Sequence, residues 1–466
     1  MGIKWHLIIV LTLSTVIHFA FFDHPNETVF DEVHFGKFVS GYYTGEYYFD
    51  IHPPLGKLII AGFAKIVDFE PQYNFTEIGK EFPDNKYLAL RLLPAIAGTL
   101  LPLIIFLLIL ELGLSRMAAF AGALLIVFDN ALLTQSRLIL LDSFLLLFGF
   151  VSLLFYFKYT KHKTQSNKYL ILTVVFSSLA VSIKWTGLSF IALPILIEIF
   201  GGLKELRINF SYEKFIRKVK ELTKLCAFFL ITPAIYFLIF AIHFALLPKP
   251  GPGDAFMKPG FRENNIVKNI WDLNIEMYKS NQRITASHPY SSQFYQWPLM
   301  ARPIYYWVKD SSRIYFFGNP IIWWSSAIAV VISMWLMANR LWFKLRKYSK
   351  PSSIVYSPLA FLLGGYFLNL LPFIGVKRVM FLYHYLTALI FAVLILVYLV
   401  DGFDKSFDRE LRTERLTTSK NENSRKIFTG IIVAAIATFL FFAPLSYGLP
   451  LSQRAYEARV WFASWR

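Results

Sequence analysis

The sequence YLALRLLPAIAGTLLPLIIFLLIL, at residues 87–110, contains 24 residues and a single charge, Arg91. An α-helix rises about 1.5 Å per residue, so this run is long enough to cross the roughly 30 Å hydrocarbon core of a bilayer. The whole chain of 466 residues is 56% hydrophobic and only 17% charged, and its mean hydropathy is +0.49. Soluble domains are about a quarter charged. The sequence therefore predicts an integral membrane protein.

Similar apolar runs recur along the chain and predict an all-α, polytopic fold with about eleven transmembrane helices. The runs lie near residues 5–22, 87–110, 117–133, 139–157, 169–185, 187–203, 224–247, 320–341, 354–374, 380–400 and 427–448. The first run is predicted to be a membrane anchor and not a cleaved signal peptide, because no small-residue cleavage site follows it. The single cysteine, Cys226, excludes an internal disulfide framework.

The distribution of charge predicts an orientation. The loops 158–168, 201–223 and 339–353 carry 15 lysines and arginines against three glutamates. Short loops rich in Lys and Arg face the cytoplasm. The N-terminus is therefore predicted to be cytoplasmic, and the net charge of +17 reflects orientation and not nucleic-acid binding. The chain is interpreted as one membrane domain, 1–466, with a first external loop at 23–86, a large external loop at 248–319 and a cytoplasmic connector at 401–426.

Two external segments are predicted to be amphipathic helices on the membrane surface. Residues 54–68 place Leu55, Ile59 and Ile66 on one helical face and Lys57 on the other, and residues 262–279 show a similar pattern. Four tyrosines of the first external loop are predicted to form a belt at the membrane interface, with their hydroxyls in water. These are Tyr42, Tyr43, Tyr47 and Tyr48.

Several cations lie on the predicted external side, where the positive-inside rule does not explain them. They fall at the predicted external ends of different helices or in the turns between them: Arg91, Arg137, Lys184, Lys377 and Arg378. Asp142 and His384 lie one turn deeper. Long side chains near helix ends can simply reach water, but five cations at one level indicate a site for an anionic headgroup such as a phosphate.

The same face carries the segment DEVHFGKFVSGYYTGEYYFDIHPPLGK at residues 31–57, which contains Asp31, Glu32, Asp50 and His52. In sugar transfer from a lipid phosphate, cations neutralise the leaving group, and only the acceptor hydroxyl needs a carboxylate base. The histidines have no metal-ligand spacing, and no phosphate-binding glycine loop is present. No metal and no cofactor are expected.

Several blocks resemble the protein O-mannosyltransferases, which have the GT-C fold. FDEVHFGKF contains Asp31 and Glu32, and YYFDIHPPLGK contains Asp50 and His52. Arg91 is similar to the family's arginine at the second span. The remaining blocks are QSRLILLDSFLLLF with Arg137 and Asp142, SIKWTGL with Lys184, SHPYSSQFYQWPL with His288 and Trp297, FGNPIIWW, and FLYHYLTAL with Tyr383 and His384.

The resemblance implies inverting transfer of mannose from dolichyl or polyprenyl phosphate mannose to Ser or Thr hydroxyls of proteins, with the secretion translocon as a source of acceptor chains. It implies that Asp31 is the catalytic base and that Glu32 binds the acceptor or supports the base. Asp50, His52, His288 and Trp297 are then supporting or acceptor-binding residues. Binding of the donor phosphate is assigned to eight residues: Arg91, Arg137, Asp142, Lys184, Lys377, Arg378, Tyr383 and His384.

One departure from the family is visible. Eukaryotic members carry a β-trefoil domain in the large external loop, and the loop 248–319 is too short to hold it. This difference indicates a prokaryotic member in the cell membrane (the endoplasmic reticulum if eukaryotic) and puts obligate heterodimers in doubt. Two alternatives remain open: transfer of another lipid-phosphate sugar onto a glycolipid, and transport. Transporters place charged sites near the midplane and often contain inverted repeats, which this sequence does not show.

Overall fold

A computed structural model describes residues 2–71, 75–161, 167–208, 211–283, 288–346, 358–407 and 417–466. Parts of several sequence-based assignments lie outside these residues: the loops 158–168, 201–223 and 339–353, the external loops 23–86 and 248–319, the apolar run 354–374 and the connector 401–426. Within the described chain, seventeen α-helices and two strands are present. The structure is helical and contains several helices that can span a membrane, as the sequence predicts for an all-α polytopic protein.

The helices of the first half run from the N-terminus to the start of the large loop. They are α1 (Ile3–Phe19), α2 (Glu32–Thr44), α3 (Leu55–Ile66), α4 (Tyr87–Glu111), α5 (Arg116–Val127), α6 (Asn130–Ser136), α7 (Asp142–Lys161), α8 (Lys168–Ile183), α9 (Ser189–Ile208), α10 (Tyr212–Phe229) and α11 (Ile231–Leu246). Helix α4 packs against α1, α5 and α7, and α7 packs most extensively on α8. These contacts form one face of the bundle.

The second half contains the remaining helices and the only strands of the described residues. They are α12 (Ile266–Arg283), β1 (Ile304–Lys309), β2 (Ser312–Phe316), α13 (Pro320–Arg346), α14 (Pro358–Leu368), α15 (Leu386–Phe407), α16 (Thr417–Tyr447) and α17 (Gln453–Glu457). Helix α15 packs between α13, α14 and α5. Its apolar stretch is mostly buried, so α15 forms the centre of this half.

The eleven apolar runs each coincide with helical structure, but not all with a simple span. By length and composition, seven helices of the described chain can cross a membrane, or eight when the bent pair α5–α6 is counted as one. Three further helices are apolar but shorter: Ile3–Phe19, Lys168–Ile183 and Trp185–Phe200. The predicted number of eleven spans therefore stays a prediction.

The predicted span 117–133 is broken by a bend of 59° between α5 and α6. Asp129 causes the break, because its carboxylate caps α6 by accepting the backbone N–H of Leu132 at 3.0 Å. It also accepts the indole N–H of Trp323 at 2.8 Å. The bend directs α6, and with it Gln135 and Arg137, toward the end of the bundle where α2 begins.

The strands form an antiparallel hairpin that the sequence interpretation did not include. The turn at Asp310, whose φ is +52°, joins two runs rich in aromatic and β-branched residues. The register shifts between Tyr305 and Trp307, so Tyr306 is the extra residue of a β-bulge. The hairpin lies against the segment that precedes α2, since the backbone N–H of Phe30 donates to the carbonyl of Tyr306 at 3.2 Å.

Two sequence-based assignments in the first loop are wrong. Lys57 was placed on the polar face of a surface helix, but α3 buries it together with Gly56, Ile60, Ala61 and Ala64 and leaves Ile66 exposed. The tyrosine belt is also absent. Tyr47 and Tyr48 are buried, Tyr42 bonds His243 at 2.9 Å, and Tyr43 donates to the carbonyl of Ala61 at 2.8 Å. These rings pack α2 and the following turn against α3 and α11.

Candidate active site

A cavity of about 430 Å³ opens between α7, α9, α12 and α14, beside the 3₁₀ turn Trp185–Leu188. Its polar walls are formed by His52, Asp142, Lys184, Asn281, Arg378 and His384. Its apolar walls come from leucines of α7, α14 and the 3₁₀ turn, among them Leu145, Leu188 and Leu368. A cavity with a charged lining and leucine-rich walls can hold an amphiphile that has an anionic head and an apolar chain.

Lys184 and Arg378 supply the positive charge of the cavity. Lys184 ends α8 in an extended conformation and donates to Asp142 at 2.8 Å. Its ammonium also lies 5.6 Å from the ring centre of Tyr383, within the range of a cation–π contact. The turn after Lys184 is tight because Gly187 lies against the backbone of Ala180, where a Cβ atom would come within 2.5 Å.

Arg378, which also lines the cavity, is held by two side chains. It donates to the amide oxygen of Asn281 at 2.8 Å and to Nε2 of His384 at 2.8 Å. His384 Nδ1 lies 2.9 Å from the carbonyl of Phe381. A guanidinium can only donate, so Nε2 is the acceptor and the proton of the neutral ring is on Nδ1. His384 is then a neutral partner that orients the guanidinium without cancelling its charge.

Asp31 begins α2 beside this cavity and makes no capping hydrogen bond with its side chain. It is half-buried. Burial raises the pKa of the Asp31 carboxyl to about 6; Asp142 and Asp50 also raise it, while His34 and Lys184 lower it. A carboxylate with a pKa near neutrality, free of a capping role and within electrostatic reach of Lys184, is suited to accept a proton from a hydroxyl group.

Glu32 and Arg91 form a fully buried, bidentate ion pair. Arg91 Nε donates to Glu32 Oε1 at 2.8 Å and Nη2 donates to Oε2 at 2.7 Å. The backbone N–H groups of Val29 and Ile139 also donate to Glu32, at 2.8 and 2.9 Å. Glu32 is 0% and Arg91 1% exposed. Neither group reaches the cavity, so the geometry favours the supporting role for Glu32 over acceptor binding and gives Arg91 no contact with a phosphate there.

Arg137 and Lys377 also do not line the cavity. Arg137 is 5% exposed and donates to carbonyls at the C-terminal end of α1, including that of His18 at 3.0 Å. Its guanidinium lies 4.6 Å from the ring centre of Tyr447. Lys377 is exposed. Of the five cations predicted at one level, the structure therefore brings only Lys184 and Arg378 together at the cavity. Arg137 instead binds backbone carbonyls at the C-terminal end of α1.

Asp50 and His52 are fixed by Lys57. The Lys57 ammonium pairs with Asp50 and donates to the backbone carbonyl of His52 at 2.9 Å. Burial lowers the pKa of the Lys57 ammonium, and the adjacent Asp50 opposes that effect. Burial also lowers the pKa of the His52 imidazole, as do the charges of Lys184 and Arg378. A neutral His52 ring therefore faces the cavity, and Asp50 lies behind it.

Trp297 and His288 have different positions. Trp297 is completely buried, stacks on His384 with ring centres 5.8 Å apart, and donates its indole N–H to Ser292 Oγ at 3.1 Å. It supports the histidine that orients Arg378. His288 is exposed, and its ring packs on Phe381 at 5.0 Å. Neither residue lines the cavity.

The sequence interpretation missed two polar residues that complete the site. Asn281 holds Arg378, and Gln135 donates to Asp142 at 2.7 Å. Gln135 lies in α6, and every residue of that helix is buried. An amide side chain within an apolar run is the signal that would have identified Gln135. Asn281 lies on an amphipathic helix, where the sequence does not distinguish it from a solvent-exposed polar residue.

Among the described residues, no group of three or more His, Cys, Asp or Glu could hold a metal ion.

The helical bundle and its cavity match the GT-C fold of membrane glycosyltransferases, and comparison with a solved structure confirms the fold class predicted from the sequence. The structure is similar to that of the Saccharomyces cerevisiae protein O-mannosyltransferase Pmt1-Pmt2 complex bound to the sugar donor. The TM-score is 0.89 at 19% identity, and the alignment covers 100% of this chain and 93% of that one. At this identity the likeness establishes the fold alone.

Sequence comparison establishes the family. The family model described as dolichyl-phosphate-mannose-protein mannosyltransferase matches residues 8–248, more than half of the chain. The model of the C-terminal four-transmembrane region of protein-O-mannosyltransferase matches residues 266–465. The chain belongs to the protein O-mannosyltransferase family, and the resemblance drawn from its motifs is confirmed.

Curated relatives carry the same family name. The chain is 37% identical over 269 residues to dolichyl-phosphate-mannose–protein mannosyltransferase 4 of Candida albicans. That alignment covers 55% of this chain and 35% of the relative. It is 33% identical over 306 residues to the protein of that name from Schizosaccharomyces pombe, covering 61% and 39%. Each match therefore spans well under half the length of the relative.

Proposed function

We propose that this protein transfers mannose from a polyprenyl or dolichyl phosphate to Ser or Thr hydroxyls of proteins. The observation that carries the proposal is the cavity itself. Arg378 offers a positive charge with neutral partners, and Lys184 offers an ammonium paired with Asp142. Leucine-rich walls accommodate an isoprenoid chain, and Asp31 lies within electrostatic reach of Lys184 and Asp142. Named relatives in the same family support mannose as the sugar and protein as the acceptor.

The reaction follows from this arrangement. The acceptor hydroxyl gives its proton to Asp31 while its oxygen attacks the anomeric carbon, and the bond from that carbon to the phosphate oxygen breaks. Mannose is transferred with inversion, and the lipid phosphate leaves with one additional negative charge. Lys184 and Arg378 stabilise that charge as it develops, so a strong general acid is not needed.

The remaining polar residues act through these three groups. Asp142 and Gln135 orient Lys184, whereas Asn281 and His384 orient Arg378. The Glu32–Arg91 pair fixes the first turn of α2, from which Asp31 projects. His52 stays neutral and can accept a hydrogen bond from the sugar or the acceptor. Because Arg378, with neutral partners, and Lys184, which shares its charge with Asp142, can both donate to the phosphate, we expect no metal ion and no other cofactor to be required.

The protein is a multi-pass membrane protein, and the charge of its loops supports a specific orientation. We infer that the N-terminus faces the cytoplasm and that the cavity opens on the external side of the cell membrane, or on the lumenal side of the endoplasmic reticulum in a eukaryote. Acceptor chains would then reach Asp31 in extended form, as they emerge from the secretion translocon.

Transfer of labelled mannose from polyprenyl phosphate mannose to Ser- and Thr-containing peptides, in detergent or liposomes, tests this function. A glycolipid acceptor and polyprenyl phosphates carrying other sugars are included as competitors. Mannosylated peptide with no labelled glycolipid supports the proposal. Labelled glycolipid with unmodified peptide would instead assign the enzyme to the glycolipid-modifying alternative.

A further inference from the structure

Tyr306 occupies an unusual place for a residue outside the cavity. It is the extra residue of the bulge in β1, between the pairs Tyr305–Tyr315 and Trp307–Ile314. It is 1% exposed. Bulges redirect one side chain out of the regular alternation of a strand and are frequent beside active sites. The Tyr306 ring stacks on Phe316 of β2 with centres 5.6 Å apart, while its carbonyl and its hydroxyl each bond a residue outside the hairpin.

The first connection runs to Asp31. Phe30 stacks on the Tyr306 ring with centres 3.8 Å apart and planes 8° from parallel, and the Phe30 N–H donates to the Tyr306 carbonyl at 3.2 Å. The φ angle of Phe30 is +48°, a conformation that is unfavourable for a bulky residue and persists only when its surroundings hold it. The residue directly before the proposed base is therefore held in a strained conformation by Tyr306.

The second connection runs to Lys184. The Tyr306 hydroxyl donates to the amide oxygen of Gln135 at 2.7 Å. Gln135 donates to one carboxylate oxygen of Asp142 at 2.7 Å, and Lys184 donates to the other at 2.8 Å. Burial raises the pKa of Tyr306 far above its ordinary value, so its hydroxyl keeps the proton that this chain of hydrogen bonds requires.

We propose that Tyr306 is a positioning residue that ties the Asp31 carboxylate and the Asp142–Lys184 pair to one rigid point, the bulge of the β1–β2 hairpin. The ring and the carbonyl fix the base, and the hydroxyl fixes the cation. The proposal rests on the proposed function only in naming these groups as base and phosphate ligand. The spacing between the acceptor hydroxyl and the donor phosphate is then set by a residue that touches neither.

The two connections can be separated by substitution. Tyr306→Phe keeps the ring and removes only the bond to Gln135. Phe30→Gly removes the stack, and glycine adopts a positive φ without strain, so the chain can keep its path without the constraint. Tyr315→Phe is the matched control, because Tyr315 lies in the same hairpin, is buried, and bonds Tyr456 at 2.6 Å instead of a residue of the site.

Each variant has a distinct expected result. Tyr306→Phe should weaken binding of polyprenyl phosphate and raise the donor KM by about 3- to 10-fold, the loss expected for one neutral hydrogen bond, with kcat nearly unchanged. Phe30→Gly should lower kcat by about tenfold or more, since a misplaced base loses much of its effect. It should also move the protonation midpoint of Asp31 to lower pH, because the loosened turn admits water. Tyr315→Phe should behave as wild type.

The measurements are titration of polyprenyl phosphate by tryptophan fluorescence, the pH dependence of Asp31 labelling by a carbodiimide read by mass spectrometry, and mannose transfer. The first two do not need turnover. If wild type transfers no mannose but the variants still differ in the first two assays, the proposed function fails and the positioning role stands. If Tyr306→Phe binds lipid phosphate as Tyr315→Phe does, or Phe30→Gly keeps the wild-type Asp31 midpoint and kcat, the positioning role is overturned.

Discussion

Replacement of Arg378 by glutamine removes one of the two positive charges of the cavity while keeping a side chain that can bond Asn281. The guanidinium is oriented by two hydrogen bonds of 2.8 Å, to Asn281 and to His384. A hydrogen bond that involves a charged group contributes about 1.5–3 kcal/mol. At about 1.4 kcal/mol for each tenfold change, Arg378→Gln should weaken donor binding by about 10- to 150-fold.

The assay is the KM for polyprenyl phosphate mannose together with direct titration of polyprenyl phosphate. Arg302→Gln is the matched control, because Arg302 also makes two hydrogen bonds of 2.9 Å, to the carbonyls of Pro289 and Ser464, but does not line the cavity. The control should bind donor as wild type does. Equal donor affinity for Arg378→Gln and Arg302→Gln would refute the assignment of this cavity to the donor phosphate.

Three further predictions follow from burial and charge. Glu32→Gln should lower the free energy of unfolding by about 3–5 kcal/mol, because it leaves Arg91 buried without its counter-ion; a thermal melt in detergent that matches wild type would contradict this. Asp31 has its pKa raised to about 6, so kcat/KM should be constant above neutral pH and fall roughly tenfold per pH unit well below pH 6, as the base becomes protonated; a profile flat down to pH 5 would exclude Asp31 as the base. Tyr47→Phe should leave stability unchanged or raise it by about 1 kcal/mol, since the Tyr47 hydroxyl is buried and has no partner among the described residues; a clearly lower melting temperature would show that the hydroxyl is satisfied.

The membrane helices could be predicted from the sequence because the bilayer imposes both their length and their composition. The break in the third span could not, because it depends on Asp129 finding partners at Leu132 and, far along the chain, at Trp323. The hairpin was missed because helical runs dominate the pattern around it. Its signal, two runs rich in aromatic and β-branched residues about a short turn, was present at Asp310.

The structure brings only some of the predicted site residues together at one cavity, and their roles stay predictions. Arg91, Arg137 and Lys184 give the same signal in the sequence, a cation at the end of an apolar helix. Only the fold reveals that Arg91 pairs with Glu32, 59 residues away, and that Arg137 serves the end of α1. Lys57 was assigned to the wrong face for the same reason, since its burial depends on the pairing with Asp50.

The most direct test of the central claim compares wild type with Asp31→Asn in mannose transfer to a Ser/Thr peptide, with glycopeptide quantified by mass spectrometry and donor binding measured in parallel. Wild type should form mannosylated peptide. Asp31→Asn should bind the donor normally and transfer mannose about 10²- to 10⁴-fold more slowly, because only activation of the hydroxyl is removed. Near-normal transfer by Asp31→Asn, or a wild-type protein that binds donor and never mannosylates peptide, would contradict the account.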